Sequence, residues 1–254
     1  MGTRRTASIV SSERVRARTV SSGSVFSTLL IDATIESVAS TTAERVLDVG
    51  CGQAPYHDLL SPTSYLGVDR TARPGGATVI SDAAVLPLAD ASFDGLLCTE
   101  VIEHVPDERA LAAELARVAA PGAVLVLSAP FVHGLHEQPY DFRRLTSIGL
   151  VRALEDGGWT VEQLAAVGGT GVVVLDGVVR WADAALRRVA GRVLGRDGRA
   201  FGVVAASSDR IQRLLARSCA RSVRAHRDLD PFAPRPRLTL GYALRARLAL
   251  EEGT

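Results

Sequence analysis

The sequence predicts an α/β chain: a doubly wound, mostly parallel seven-stranded sheet with a helical insertion before its last strand. Two observations carry this. Short apolar runs ending in an acid or a glycine alternate with helical patterns from about residue 44 to 167, as they do in parallel sheets covered on both faces. One of them, Arg45-Val46-Leu47-Asp48-Val49, breaks at once into Gly50-Cys51-Gly52-Gln53-Ala54-Pro55. A buried strand turning through a glycine pair towards a helix leaves backbone N–H groups open to a ligand, and glycine permits the positive φ that such a turn needs.

The elements follow in order. Met1 to Ser24, rich in Ser, Thr and Arg, reads as a disordered arm, and Phe26, Leu29, Leu30 and Ile35 mark a helix over Val25 to Val38. Val46 to Val49 is the first strand, Tyr56 to Leu60 a short helix and Tyr65 to Asp69 the second strand. Arg73-Pro74-Gly75-Gly76 precedes a brief third strand at Thr78 to Ser81, and Phe93 to Cys98 is the fourth. Asp107 opens a helix whose Leu111, Leu115 and Val118 share a face; Pro121-Gly122 stops it before a fifth strand, Ala123 to Ser128. Thr146 caps a helix running to Asp156, Gly157-Gly158 ends it, and Trp159 to Val167 is strand six.

The rhythm then changes. Asp176 to Gly195 reads as an amphipathic helix, and a second helix capped by Ser207 or Ser208 carries Ile211, Leu214, Leu215 and Cys219. Pro231, Pro234 and Pro236 break the chain before a final strand over Leu238 to Leu248. The expected organisation is therefore one domain over 25–254 with an insertion at about 176–237.

Composition excludes more than it assigns. The net charge of +1 over 254 residues gives no whole-molecule basis for nucleic-acid binding, and no nucleic-acid partner is expected. All 29 basic residues are Arg, which we read as coding bias. Their distribution is uneven: Asp176 to Arg237 holds 14 Arg against 6 Asp. The bland reading of that segment is a helical pair with its apolar face on the core; a dimer surface or substrate lid and peripheral contact with an anionic membrane through Trp181 and its neighbours stay open. Cys51, Cys98 and Cys219 have neither metal-ligand spacing nor a disulfide framework, so reduced thiols and a cytoplasmic location are expected. Arg4-Arg5 lacks the apolar stretch of a signal peptide, and the longest apolar run, Val172 to Leu175, is far below the ~20 residues that span a bilayer.

Five segments in order now bear on chemistry: the glycine turn; Asp69, which ends strand two; Ser81-Asp82-Ala83 with Leu86-Pro87-Leu88-Ala89-Asp90; Cys98-Thr99-Glu100-Val101-Ile102-Glu103-His104-Val105; and Leu115 to Ala123. Together they resemble the class I S-adenosylmethionine (SAM) dependent methyltransferases of the type 11 kind, with their Rossmann-like sheet. The resemblance implies SAM as cofactor, held by Asp48, Gly50, Cys51 and Gly52 at the methionine end. It implies Asp69 with Arg70 at the ribose, Asp82 with Ala83 at the adenine, and Glu100 after strand four. Two departures stand out: Ala54 where the family often has a third glycine, and Ala123 where it often repeats one. Pro55 breaks the G-x-G-x-x-G pattern of nicotinamide enzymes, so an oxidoreductase is the weaker alternative. A non-catalytic SAM-fold scaffold is another.

Beyond strand five, Phe131 to Thr146 packs two His, Glu, Tyr, Asp and two Arg into one loop at the carboxyl edge of the sheet. If the acceptor must lose a proton, His133 and His136 are the candidate bases and Tyr140 a weaker one. An acidic acceptor would be gripped by Arg143 or Arg144. The structural alternative is an Arg143–Asp141 salt bridge stiffening the loop, with the histidines capping turns. Glu103 and His104 read as structural groups beneath the cofactor. Metal ligands are not expected. The acceptor is expected to be a small molecule or a lipid- or sugar-linked metabolite, methylated at O or N.

Overall fold

A computed structural model describes residues 33–34, 37–38, 42–60, 62–195, 198–222 and 238–250, without the side chains of 209 and 212–222. The expected leading helix overlaps it only at 33–34 and 37–38, which are helical; the arm at 1–24 lies outside the described residues.

Seven strands form one sheet in the order β3-β2-β1-β4-β5-β7-β6. They are β1 (Arg45–Val49), β2 (Ser64–Asp69), β3 (Val79–Ile80), β4 (Phe93–Thr99), β5 (Ala119–Pro130), β6 (Trp159–Val167) and β7 (Gly241–Leu248). All neighbours pair in parallel except β7, which runs antiparallel to both β5 and β6. The central strands are apolar on both faces because both are covered. Leu47, Val49, Leu96, Cys98, Leu125 and Leu127 join one core, while Val46, Leu97 and Val126 join the other with Val38, Tyr56 and Leu60.

Two helices close the larger core. Helix α1 (Glu108–Val118) buries Leu111, Ala112, Leu115 and Val118, and α2 (Ser147–Asp156) buries Leu150, Val151, Ala153 and Leu154. Their starts are set by side-chain caps. Asp107 accepts from the backbone N–H of Arg109 (2.9 Å) and Ala110 (3.1 Å), and Thr146 Oγ1 accepts from Gly149 (3.1 Å). Trp159, buried at the start of β6, donates its indole N–H to the Ala112 carbonyl at 3.1 Å and so ties β6 to α1.

Several boundaries differ from the sequence reading. The short helix after the glycine turn is one 3₁₀ turn, His57–Leu59, and the third strand has only two residues. Pro121-Gly122 does not stop α1. The helix ends at Val118, β5 begins at Ala119, and the Pro-Gly pair sits in a register shift between Phe93↔Ala119 and Gly95↔Val124, with Gly122 at φ +77°.

The insertion departs most. Helix α3 (Thr170–Leu194) starts six residues before the expected Asp176, and α4 (Arg199–Ser222) starts well before Ser207 and Ser208, which are interior to it rather than caps. Ser208 is buried and donates to Asp183 of α3 at 2.5 Å, while Arg187 pairs with the same Asp183 at 2.8 Å. Polar groups thus occupy the seam between the two helices. Val174, Val178, Trp181, Val189 and Val193 of α3 are exposed, Trp181 by 73%. The apolar stripe faces outward, contrary to the bland reading.

Candidate functional site

The glycine turn is built from β1 and held by β2. Gly50 and Cys51 both donate to the Val68 carbonyl, at 2.8 and 3.1 Å. Gly50, Gly52 and Ala54 all have positive φ, of +69°, +54° and +49°. Ala54 therefore occupies the left-handed conformation that a third glycine would hold without strain, at a cost of roughly 1–2 kcal/mol. The two glycines serve different needs. A Cβ on Gly50 would lie 2.2 Å from Val101 Cγ2, so this position packs against the segment after β4. A Cβ on Gly52 would meet nothing within 4 Å among the described residues. That open side of the turn is where a ligand can approach the backbone.

Two acids brace the turn. Asp48 is 1% exposed; one carboxylate oxygen accepts a short hydrogen bond from the Tyr65 hydroxyl. Burial pushes its carboxyl up to about 7, against the lowering effect of that bond. Asp69, at the end of β2, accepts from Gly52 N–H (3.0 Å) and from the Thr71 N–H (2.9 Å) and hydroxyl (3.1 Å). A carboxylate offers about four lone-pair sites, so roughly one remains for a ligand hydroxyl. The expected ribose acid is thus also the clamp on the glycine turn. Asp82 is exposed, with Oδ1 accepting from Ala84 N–H at 2.9 Å, and Ala83 behind it is buried.

Glu100 follows β4 at φ +56°, over-determined by two contacts with β5: its N–H donates to the Ser128 carbonyl (3.0 Å) and its Oε1 accepts from the Ser128 hydroxyl (3.1 Å). Burial, reinforced by the neighbouring Glu103, holds its carboxyl well above the usual range. Glu103 itself is 2% exposed, on a 3₁₀ turn spanning Ile102–His104, and among the described residues no hydrogen bond reaches either carboxylate oxygen.

The loop after β5 folds back over this segment. Phe131 and Val132 donate to the Leu240 carbonyl, Phe142 donates to the Glu103 carbonyl (2.9 Å), and His104 Nδ1 meets the Tyr140 carbonyl (2.9 Å). Arg144 holds Asp141 with two bonds of 2.6 and 2.9 Å, which keeps that carboxyl well below the ordinary range. The expected Arg143–Asp141 bridge is therefore replaced: Arg144 takes Asp141, and Arg143 pairs with Glu108 and the Pro106 carbonyl. Both arginines expected at an acceptor are engaged within the chain.

The loop also gathers the histidines. His133 and His136 stack edge-on at 5.1 Å, and His136 and His104 at 4.7 Å. Burial, with Arg180 of α3 next in weight, pushes His133 down to about 4, whereas contact with Glu103 raises His136. Tyr140 is half exposed, and the Arg70 guanidinium lies 4.1 Å from its ring centroid. Since β2 and β5 flank β1 and β4, this contact spans the carboxyl ends of the two central strands.

Several participants carried no local signal. Tyr65 and Ser128 reach the site only through strand pairing. Gly76 abuts the glycine turn: a Cβ there would sit 1.9 Å from the Gly52 carbonyl oxygen. Arg180 comes from the insertion, beside Gly134 and His133.

A seven-stranded sheet with β7 antiparallel between β5 and β6, and a glycine turn braced by an acid at the end of β2, define a class I methyltransferase fold. The comparisons narrow this. Residues 47–127 match the family model described as a methyltransferase domain. A probable S-adenosylmethionine-dependent methyltransferase of Mycolicibacterium smegmatis is 32% identical over 149 residues, covering 52% of this chain and 58% of that protein. A ubiquinone biosynthesis O-methyltransferase of Hahella chejuensis is 34% identical over 110 residues, covering 37% of this chain and 46% of that protein. The chain spans about half the length of the curated relatives it matches. Among solved structures, the [4+2]-cyclase SpnF aligns with a TM-score of 0.52 at 17% identity, covering 88% of this chain and 82% of that one. That likeness shows the fold, and a shared fold does not fix the reaction.

Proposed function

We propose that the chain is a SAM-dependent methyltransferase acting at O or N of a small-molecule or lipid- or sugar-linked acceptor. The observation that carries this is the open turn at Gly52, clamped by Asp69, in a chain whose residues 47–127 match a methyltransferase domain. The donor supplies an already activated methyl on a sulfonium, so the acceptor lone pair forms the new bond as the C–S bond breaks and a neutral thioether leaves. The chain's part is alignment and proton removal. In this reading Gly50, Cys51 and Gly52 lie along the methionine end with Asp48 beneath, while Asp69 and Arg70 meet the ribose. Asp82 and Ala83 meet the adenine, and Glu100 closes the far side.

Proton removal falls to the loop. His133, His136 and Tyr140 are the candidate acceptors of that proton; burial pushes His133 down to about 4, which keeps it neutral at pH 7 and weakens it as a base. Arg143 and Arg144 hold the loop in shape through Glu108 and Asp141, in place of gripping the acceptor. Isothermal titration with SAM tests the cofactor reading. Wild type should bind one equivalent, and Asp69→Ala should weaken binding at least roughly tenfold, about 1.4 kcal/mol. No binding by folded wild type, or unchanged affinity in the variant, overturns it. Incubation with labelled SAM and cell extract then identifies the acceptor.

The outward stripe of α3 supports peripheral contact with an anionic lipid surface. Exposed Val174, Val178, Trp181 and Val189 lie among exposed Arg180, Arg188 and Arg192, an apolar face with a cationic rim. No helix among the described residues is long and apolar enough to cross a membrane. Phosphatidylglycerol vesicles should sediment the protein and phosphatidylcholine vesicles should not, with Trp181→Glu abolishing the difference. No vesicle binding, or a concentration-dependent dimer lost in Trp181→Glu, refutes lipid contact; the dimer result assigns the face to a second copy.

A further inference from the structure

Glu103, His104 and His136 form a cluster that neither the glycine turn nor the proposed proton transfer uses in full. We infer that these three side chains are a binding site for a divalent transition-metal ion of the zinc class.

The ligand atoms converge. Glu103 Oε1 lies 3.6 Å from His104 Nε2 and 3.7 Å from His136 Nε2, and all three atoms fall within 4.8 Å of one another. These separations exceed a hydrogen bond, whose heavy atoms stand about 2.7–3.2 Å apart. They match ligand spacing better: Zn–N and Zn–O bonds of about 2.0–2.1 Å put tetrahedral neighbours roughly 3.3–3.4 Å apart.

The other ring nitrogens fix what the Nε2 atoms present. His104 Nδ1 faces the Tyr140 carbonyl at 2.9 Å, and His136 Nδ1 faces the Gly134 carbonyl at 3.2 Å with Asp141 Oδ2 at 3.4 Å. Carbonyl oxygens only accept, so these contacts favour a proton on each Nδ1, although Arg144 Nη2 also stands 3.5 Å from His136 Nδ1; with a dication bound, each Nε2 would present its lone pair to the ion. Backbone and carboxylate acceptors behind the distal nitrogens are the arrangement that orients metal-binding histidines.

The carboxylate gives the second, independent reason. Glu103 is 2% exposed, and no hydrogen bond among the described residues reaches either of its oxygens. A buried, unsolvated carboxylate needs a counter-charge. The nearby cation, Arg144, has both terminal nitrogens on Asp141. A bound dication would supply the charge and use both imidazoles. The His136 side chain is 27% exposed, against 9% for His104, so the ion's path to solvent and its open coordination position lie on the His136 side.

Metal binding does not depend on the methyltransferase reading. What the ion would do there rests on that reading: it would supply Lewis-acid acidification of an acceptor hydroxyl in the open position.

The test starts from full-length protein dialysed against a chelator, then titrated with Zn²⁺ by calorimetry and with Co²⁺ by visible absorption. One equivalent should bind, with the intense d–d bands of a four-coordinate site. His136→Ala, whose side chain is partly exposed, should fold normally by circular dichroism and lose affinity roughly 100-fold or more, beyond the ~10–100-fold typical of outer-shell changes. Glu103→Gln should do the same, and His57→Ala, remote from the cluster, should bind as wild type. Absence of a saturable one-to-one site, or equal binding by wild type and His136→Ala, overturns the inference. SAM binding that survives in a metal-free His136→Ala protein leaves the cofactor reading standing, so the two proposals fail separately.

Discussion

Gly76→Ala offers the sharpest view of how the glycine turn is held. The added Cβ would lie 1.9 Å from the Gly52 carbonyl oxygen and 3.0 Å from its carbonyl carbon, both backbone atoms that no rotamer change can move. Contacts below 3.0 Å are essentially never seen, so the turn must retreat by roughly 1 Å. Overpacking of this kind costs about 1–3 kcal/mol, and about 2 kcal/mol lowers the melting temperature of a chain this size by roughly 4–8 °C. Misplacement on that scale costs about 100-fold in turnover. Gly75→Ala is the matched control. Its φ of +73° imposes strain of about 1–2 kcal/mol, but its Cβ would meet nothing within 4 Å. The two variants should therefore melt at similar temperatures while only Gly76→Ala loses SAM affinity, by at least about tenfold, in calorimetry run alongside differential scanning fluorimetry. Equal affinities, or a Gly76→Ala protein as stable as wild type, would refute the idea that this contact sets the turn.

Two further outcomes are expected. Asp48, raised to about 7 in the folded state against about 3.9 unfolded, binds its proton more tightly when folded. Its contribution to stability is therefore complete below about pH 4 and is lost as pH rises through 7, on the order of 1 kcal/mol per unit between. Urea denaturation from pH 5 to 8 should show that decline in wild type and a flatter profile in Asp48→Asn; parallel profiles would contradict it. Removing the Arg70–Tyr140 stack by Arg70→Ala should speed SAM dissociation a few-fold in stopped-flow, since an exposed cation–π contact is worth about 0.5–1 kcal/mol. Tyr140→Phe, which keeps the ring, should not.

What was legible in the chain follows the range of the interactions. Strands β1, β2, β4 and β6 and the caps Asp107 and Thr146 depend on neighbouring residues, and their positions agree with the sequence reading within a residue or so. The start of β5 does not, because pairing with Phe93 recruits Ala119 before the Pro-Gly pair that local rules treat as a stop. Helix α3 begins at Thr170 and runs at once through Val172-Val173-Val174, β-branched residues with modest helix propensity, so only tertiary context reveals its first turns. Periodicity located the apolar stripe of α3 but not the direction it faces. That choice was settled by Asp183, Arg187 and Ser208 meeting across the helical seam. The site divides likewise. The turn is visible in its glycines, Asp69 and Asp82 stand out through the family resemblance, and the structure brings Asp69 onto Gly52. The His104–Tyr140 contact joins residues 36 apart and left no trace in either segment alone.

The register of β6 and β7 has a consequence of its own. Val167 pairs with Gly241, so the chain leaves the sheet and re-enters it at adjacent points. Everything from 168 to 240 is, topologically, the loop of one long hairpin. Shortening a loop of that length to a few residues recovers only about 2 kcal/mol of closure entropy, since the cost grows with the logarithm of length. The closure cost to the sheet therefore depends little on the length of the loop. By closure entropy alone, the two helices are a cheap insertion for the sheet. A chain with this insertion cut to a short turn, keeping β7 in register, should still assemble all seven strands.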